Sequence, residues 1–150
     1  MKAVFLETSA VVKLYVPEVG SAGLRGFLSD ATHVVISRLT VPEFASAVLR
    51  RRREGGLSLT DADLILTTFD SDLPRFTVAP LDDALALEAR ALLAKHSTVP
   101  LRTLDALQLA CALRFSRVAP GAWHLATSDR RLLAIAPAES FTPVDPEALP

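Results

Sequence analysis

Four acidic residues lie where this 150-residue chain is predicted to leave a strand or enter a helix. Glu7 and Asp129 follow short apolar runs. Glu43 and Asp105 lie near the starts of predicted helices. These points share one edge of a parallel sheet, which is where ligands normally bind in α/β proteins. Carboxylates crowded there need protonation or a cation, because two of them ~4 Å apart repel by about 4 kcal/mol at an effective dielectric constant of 20.

Such a cluster would favour a hard divalent ion, because its ligands are all oxygen atoms. Mg²⁺ or Mn²⁺ held by carboxylates activates water and stabilises the oxygens of a phosphodiester during displacement. The acidic residues therefore predict metal-dependent phosphoryl chemistry, on the condition that they meet at one edge of the sheet.

Each acid taken alone also has an ordinary structural explanation. The spacing Thr40-x-x-Glu43 is a capping-box signature at a helix start. Asp105 and Asp129 suit the positive end of a helix dipole, and Glu7 suits the start of a short helix after the first strand. A single such residue favours the structural explanation, but the shared placement of all four favours the metal site.

The pattern of apolar residues predicts the α/β class, with helices on both sides of a central, largely parallel sheet of four to five strands. Short apolar runs without alternation are typical of parallel strands covered on both faces. They occupy residues 3–6, 34–36, 76–78 and 123–126, and a fifth candidate lies near Phe141. Four segments have apolar residues at helical spacing. Two of them begin at Thr40 and at Thr60, where Thr60-x-x-Asp63 is a second capping pattern, and the other two cover 82–95 and 103–115.

The composition of the chain limits the classes of protein to which it can belong. Half of the residues are hydrophobic and 22% are charged, which excludes disorder and predicts a single domain over 1–150, with 143–150 as a C-terminal tail. One Cys, no apolar run of ~18 residues and no secretory signal predict a cytoplasmic protein without a membrane span. The chain has no glycine-rich phosphate loop, and its three His residues lack zinc-site spacing. The net charge of -1 excludes only a globally basic nucleic-acid binder.

Four segments resemble, in the same order, the acidic motifs of PIN-domain ribonucleases, particularly the VapC-type toxins of bacterial toxin–antitoxin pairs. They are FLETSAVVKLYVPE at 5–18, EFASA at 43–47, LRTLDALQLA at 101–110 and ATSDRRL at 126–132. Each motif is weak alone, but the ordered set is specific and covers about residues 2–133. The resemblance implies a three-layer α/β/α fold, Mg²⁺- or Mn²⁺-dependent RNA cleavage, a cognate antitoxin and a homodimer, with helix faces around 64–69 or 85–93 as candidate contacts.

The resemblance also implies roles for individual residues. Glu7 and Asp105 would be the principal metal ligands, and Glu43 and Asp129 would complete the pocket directly or through water. Hydroxyl groups that could orient these carboxylates or waters belong to Thr8, Ser9 and Thr127. Ordinary strand-exit and N-cap roles explain the same hydroxyls equally well.

Basic residues near the acidic motifs are candidates for binding RNA phosphates. They are Lys13, Arg102, Arg130 and Arg131. A run of four arginines at 50–53 ends a predicted helix, where cations suit the helix dipole and a solvated face is the simpler explanation. The alternative for that run is a surface that contacts phosphate or antitoxin.

One position departs from the family pattern, which has Asp where this chain has Glu7. The extra methylene moves the carboxylate outward by about 1.5 Å, and misplacement by ~1 Å can lower a rate ~100-fold. We therefore expect weaker activity than in a Glu7→Asp variant, with Mn²⁺ preferred over Mg²⁺. The predicted function is a metal-dependent endoribonuclease, and the alternative is a catalytically weakened PIN-like binding module that acts through protein partners. A receiver-like phosphoacceptor domain is less favoured, because its late basic residue should be Lys.

Overall fold

A computed structural model, which describes all residues 1–150, contains one five-stranded sheet whose paired strands are all parallel. The strands are β1 (Lys2–Leu6), β2 (His33–Ser37), β3 (Thr77–Ala79), β4 (Ala122–Ala126) and β5 (Thr142–Val144). Their order across the sheet is β3-β2-β1-β4-β5, which places β1 at the centre. The predicted parallel sheet is confirmed, including the fifth strand, which begins directly after Phe141.

Seven α-helices connect the strands. They are α1 (Thr8–Tyr15), α2 (Ser21–Leu28), α3 (Thr40–Arg53), α4 (Leu59–Asp72), α5 (Asp83–Lys95), α6 (Thr103–Val118) and α7 (Arg130–Ile135). Short 3₁₀ segments occupy Leu73–Arg75, Ala136–Glu139 and Pro146–Ala148. None of the helices combines the length and the apolar character that a bilayer crossing requires.

Alternate residues of β1 belong to two separate hydrophobic cores, one on each face of the sheet. Ala3 and Phe5 pack in the core formed with α5, α6 and α7, whereas Val4 and Leu6 pack in the core formed with α1 to α4. All four side chains are fully buried, as expected for a central parallel strand covered on both faces. The structure is therefore the three-layer α/β/α arrangement that the sequence predicts.

The strand register brings the ends of the central strands to one edge of the sheet. Leu6 pairs with Ile36 of β2 on one side and with Ala126 of β4 on the other. The next residue, Glu7, donates its backbone N–H to the Ala126 carbonyl at 3.0 Å. The segments that carry the predicted acidic residues thus leave the sheet from neighbouring positions.

Helix boundaries differ from the sequence expectation in two places. Helix α4 begins at Leu59, and its N-cap is Ser58, whose hydroxyl accepts from the Asp61 backbone N–H at 3.0 Å. The predicted capping pair Thr60 and Asp63 is therefore wrong, because Ser58-x-x-Asp61 offers similar chemistry two residues earlier. Helix α6 continues to Val118, beyond the predicted end at 115.

The C-terminal residues pack against the segment that enters α2. After β5, the carbonyl oxygen of Pro146 lies so close to Gly20 that a Cβ atom there would be 2.5 Å from it. Gly20 also has a φ of +88°, which favours glycine. The predicted tail, 143–150, thus includes the end of β5 and a 3₁₀ turn held on the protein surface.

The carboxylate of Glu139 joins the end of α5 to the segment after α7. Its Oε1 lies 2.6 Å from His96 Nε2 and 2.7 Å from Lys95 Nζ. Burial alone would raise the pKa of Glu139, but the contacts with Lys95 and His96 outweigh burial and hold the pKa below its ordinary value. The ionised carboxylate therefore stabilises the fold above the pKa of the unfolded chain, and this stabilisation is lost as pH falls through the folded pKa.

We expect Glu139→Gln to lower the free energy of unfolding by about 1 kcal/mol near neutral pH, measured by urea denaturation. In acid, once the pH lies below the folded pKa of Glu139, the difference between the two proteins should nearly vanish, because protonation has removed the charge from Glu139 as well. Glu54→Gln is the control, since Glu54 is exposed and forms no salt bridge. A Glu139→Gln penalty of the same size at both pH values would contradict this account.

Candidate active site

Glu7 is the N-cap of α1 and is buried at the carboxyl end of β1. Its Oε2 accepts hydrogen bonds from the backbone N–H and hydroxyl of Ser9, at 2.9 and 2.5 Å, and from Thr127 Oγ1 at 3.0 Å. These bonds all reach one oxygen, which leaves Oε1 for a further ligand. Burial raises the pKa of Glu7, hydrogen bonds from Ser9 and Thr127 offset part of the rise, and the charge of Glu43 adds to it. Glu7 is thus desolvated and held in one orientation, a combination typical of functional sites.

Glu43, in the first turn of α3, is held by side chains from two other helices. Its Oε2 accepts from Thr8 Oγ1 and from Gln108 Nε2, both at 2.6 Å. The N-cap of α3 is Leu39, which makes no side-chain capping bond. The capping-box explanation for Thr40 and Glu43 is therefore wrong, and the Glu43 carboxylate belongs to a contact between helices.

Asp105 and Asp129 form a second acidic pair, which two arginines bridge. Asp105 Oδ2 accepts from Arg102 Nε at 3.1 Å, and Asp129 Oδ2 accepts from Arg131 Nη2 at 2.5 Å. Each arginine also contacts the other aspartate, since Arg102 Nη2 lies 3.3 Å from Asp129 Oδ2 and Arg131 Nη2 lies 3.6 Å from Asp105 Oδ2. The pKa of Asp129 lies below its ordinary value, chiefly because Arg131 binds it.

Both aspartates also lie at helix starts, as their ordinary explanation predicts. Asp105 accepts from the backbone N–H of Arg102 at 3.3 Å, and Asp129 is the N-cap of α7. The same residues therefore cap helices and carry the charge at this edge of the sheet.

The four acids lie at one end of the sheet as two pairs rather than as one cluster. Glu7 and Glu43 line a cleft of about 430 Å³, which is also lined by Leu104 and Ser128, the residues preceding Asp105 and Asp129 in the chain. No three His, Cys, Asp or Glu side chains are gathered closely enough to hold one metal ion. A shared ion would therefore require an aspartate to turn from its arginine toward the cleft.

The three hydroxyl groups singled out in the sequence each donate to a carboxylate. Thr8 donates to Glu43, and Ser9 and Thr127 donate to Glu7. Ser9 and Thr127 also accept backbone N–H groups of the loop after β4, at 2.9 and 3.0 Å. The sequence offers two alternative roles for these hydroxyl groups, orienting a carboxylate or capping local backbone. Ser9 and Thr127 perform both.

The four basic candidates occupy different environments. The Nζ atom of Lys13 is buried in contact with two carboxylates, at 3.1 and 3.0 Å. Arg102 and Arg131 bind the second acidic pair. Arg130 is exposed and forms no salt bridge. The first two arginines of the run at 50–53 line the cleft.

Gln108 is the main residue of the site that sequence reasoning did not single out. It lies on α6 one turn after Asp105, and its buried Nε2 contacts Thr8 and Glu43. The available signal was a polar residue inside the apolar run LDALQLA, at the i+3 spacing that puts it on the same helix face as Asp105.

A parallel sheet between two helical layers, with acidic side chains at the carboxyl ends of its strands, is the α/β arrangement that the resemblance to PIN domains implies. The chain belongs to the PIN domain family, whose model matches residues 4–137. It is 36% identical over 145 residues to Ribonuclease VapC35 of Mycobacterium tuberculosis strain H37Rv. The aligned region covers 95% of this chain and 96% of that protein.

Solved structures share the fold over nearly the whole chain. FitAcB from Neisseria gonorrhoeae superposes with a TM-score of 0.70 at 19% identity, covering 97% of this chain and 99% of that chain. VapBC-5 from Mycobacterium tuberculosis, described as a member of the VapBC family of toxin–antitoxin systems, gives a TM-score of 0.60 at 21% identity, covering 95% and 97%.

Proposed function

We propose that this PIN-domain protein is a metal-dependent endoribonuclease, the toxin of a toxin–antitoxin pair that acts in the cytoplasm. The observation that carries the proposal is its 36% identity to a ribonuclease over 95% of the chain. The two acidic pairs supply groups suited to phosphodiester cleavage with a divalent ion. A catalytically weakened binding module is less favoured, because all four acids are present and Glu7 is firmly oriented.

The donor set fits Mg²⁺ or Mn²⁺, because every side chain it offers binds through oxygen. Glu7, through its remaining oxygen, and Asp105 would be the principal ligands. Glu43 and Asp129 would complete the pocket directly or through water. The desolvated carboxylate of Glu7, close to a second negative charge, gains most from a cation. When bound, the ion supplies Lewis-acid stabilisation of the phosphodiester oxygens.

Phosphate binding would fall to arginines near the acidic residues. Arg130 is free to contact a phosphate, and Arg102 and Arg131 could do so after leaving their aspartates. Lys13 Nζ already contacts three acceptors, so its contribution would be to hold the cleft wall in place. An RNA strand lying in the cleft would meet Glu7 and Glu43 together with the first two arginines of 50–53, which line the same cleft.

The activity is tested by incubating the protein with end-labelled RNA in Mg²⁺, in Mn²⁺ and in excess EDTA. Internal cleavage that EDTA abolishes and added Mn²⁺ restores is the expected result. A folded protein that binds its antitoxin but cleaves no RNA in either metal would favour the binding module instead.

We propose a cognate antitoxin and a second copy of this chain as protein partners. The candidate dimer faces at 64–69 and 85–93 each present an exposed leucine, Leu64 at 65% and Leu87 at 66% exposure. Sedimentation equilibrium of Leu64→Glu and Leu87→Glu would show which face holds the dimer.

Arg131 competes with a metal ion for the second acidic pair. We expect Arg131→Ala to tighten Mn²⁺ binding about three- to tenfold, because the ion then no longer has to displace a guanidinium from Asp129 and Asp105. The measurement is calorimetric titration with Mn²⁺ in the absence of RNA. The backbone N–H of Arg131, which binds Asp129 at 2.8 Å, is untouched by the substitution.

Arg130→Ala is the matched control, since it removes the same charge one residue away from a side chain without a salt bridge. Its Mn²⁺ affinity should change less than about twofold. Equal tightening in the two variants would point to the overall charge rather than to the contact.

A further inference from the structure

The side-chain amide of Gln108 is buried where α6 meets α1 and α3. Gln108 is 1% exposed, and the next three residues of α6, Leu109, Ala110 and Cys111, are fully buried. Burying an amide is unfavourable unless hydrogen bonds replace its contacts with water. Because an apolar residue could fill this place without that penalty, the amide calls for an explanation beyond packing.

The amide is oriented by the two groups that accept hydrogen bonds from it. Gln108 Nε2 donates to Glu43 Oε2 at 2.6 Å and to Thr8 Oγ1 at 2.9 Å, which uses both of its hydrogens. An ionised carboxylate only accepts hydrogen bonds, so the nitrogen and not the oxygen of the amide must face Glu43. This orientation leaves Gln108 Oε1 buried without a hydrogen-bond partner.

Thr8 adds a second donor to the same carboxylate oxygen. Its Oγ1 lies 2.6 Å from Glu43 Oε2 while accepting from Gln108, so the three side chains close a ring of hydrogen bonds. Hydrogen bonds to an ionised acceptor are stronger than those between neutral groups. With Oε2 fixed in this way, Oε1 of Glu43 remains for the cleft that Glu43 lines.

We infer that Gln108 is a positioning residue, which fixes the Glu43 carboxylate so that its second oxygen is presented to the cleft. The inference rests on the proposed function, because Glu43 acts there as part of the metal-dependent site. Helix α6 then carries Asp105 and, one turn later, the side chain that holds Glu43. One helix thereby sets the placement of both acidic pairs relative to each other.

The test compares Gln108→Leu, which keeps the approximate volume but removes both donors, with Gln108→His, which retains a ring N–H. For Gln108→Leu we expect kcat on RNA in Mn²⁺ to fall about 10- to 100-fold, KM to change less than about threefold, and the Kd of Mn²⁺ to rise about threefold or more. Gln108→His should recover most of the lost kcat. The Tm of Gln108→Leu should fall by at most a few degrees, because loss of the unsatisfied buried oxygen offsets part of the two hydrogen bonds that are removed.

A fall in kcat at an assay temperature well below the Tm, with KM nearly unchanged and with recovery in Gln108→His, distinguishes positioning from a purely structural role. Cys111→Ala is the control, because Cys111 is buried on the same helix and contacts Ser37 rather than an acidic residue; its kcat should not change. A Gln108→Leu protein whose kcat and Mn²⁺ affinity match the parent would overturn the inference, as would one whose activity loss only follows a lowered Tm. If the parent cleaves no RNA, the proposed function fails, and the Mn²⁺ titration alone decides the role of Gln108.

Discussion

Replacing Asp105 by asparagine is expected to reduce EDTA-sensitive RNA cleavage by about 100-fold or more while leaving the fold intact. The substitution removes the charge that a divalent ion requires but keeps a side-chain oxygen. That oxygen can still accept from the backbone N–H of Arg102, so the start of α6 is preserved. The loss should exceed that caused by changing a residue which only supports a ligand, for which 10- to 100-fold is about the usual range. Cleavage of labelled RNA in Mn²⁺, with thermal melting as the check on folding, measures the effect.

Asp83→Asn is the matched control for this substitution. Asp83 also lies in the first turn of a helix, α5, and is exposed without a salt bridge. Any effect of losing a negative charge near a helix start would appear in both variants, whereas the loss of cleavage should be confined to Asp105→Asn. Undiminished cleavage by Asp105→Asn would refute its role as a ligand.

Shortening Glu7 to aspartate is expected to raise the rate of RNA cleavage, by up to about 100-fold in Mg²⁺ and by less in Mn²⁺. One oxygen of Glu7 is bound by Ser9 and Thr127, and the other is offered from a side chain one methylene longer than the Asp of the family. Mg²⁺ requires near-octahedral contacts at ~2.0–2.1 Å, so a carboxylate displaced by about 1.5 Å is least suited to that ion. Aspartate is also an effective N-cap, so α1 should still begin correctly.

The rates of the Glu7 and Asp forms are to be measured side by side in both metals. Glu7→Gln serves as the control, because it keeps the length of the side chain and removes its charge; it should be inactive. Equal or faster cleavage by the Glu7 form in Mg²⁺ would mean that its surroundings, including Ser9 and Thr127, have adjusted to glutamate.

Strands β1 to β4 could be predicted because each contains or overlaps a short apolar run, the pattern of a parallel strand covered on both faces, whereas β5 is the sequence TPV and only its position near Phe141 could be given. The start of α4 could not be fixed, because Ser58-x-x-Asp61 and Thr60-x-x-Asp63 are similar capping patterns two residues apart. Only the hydrogen bond from the Asp61 backbone to Ser58 distinguishes them. Local patterns thus located elements more reliably than their ends.

The position of the acidic residues at one edge followed from the order of strands and helices, but their pairing did not. Glu43 fits a capping box by spacing, yet its partners are Thr8 and Gln108, which lie 35 and 65 residues away in the chain. A polar residue inside the apolar run LDALQLA marks Gln108 as unusual, but nothing local in the sequence indicates that its partner is Glu43. The salt bridges that hold Asp105 and Asp129 likewise depend on how the start of α6 meets the start of α7.

The C-terminal 3₁₀ turn has a practical consequence for enzymology. Glu147 lines the cleft, and its Oε1 lies 3.0 Å from Lys13 Nζ, so a peptide fused after Pro150 would be joined three residues from a side chain of the cleft wall, where Leu149 and Pro150 pack against Gly23 of α2. The chain starts at the amino end of β1, on the side of the sheet opposite the cleft, because β1 begins at Lys2 and runs toward the cleft. Affinity tags and fluorophores for cleavage assays therefore belong at the N terminus, where they leave substrate access unobstructed.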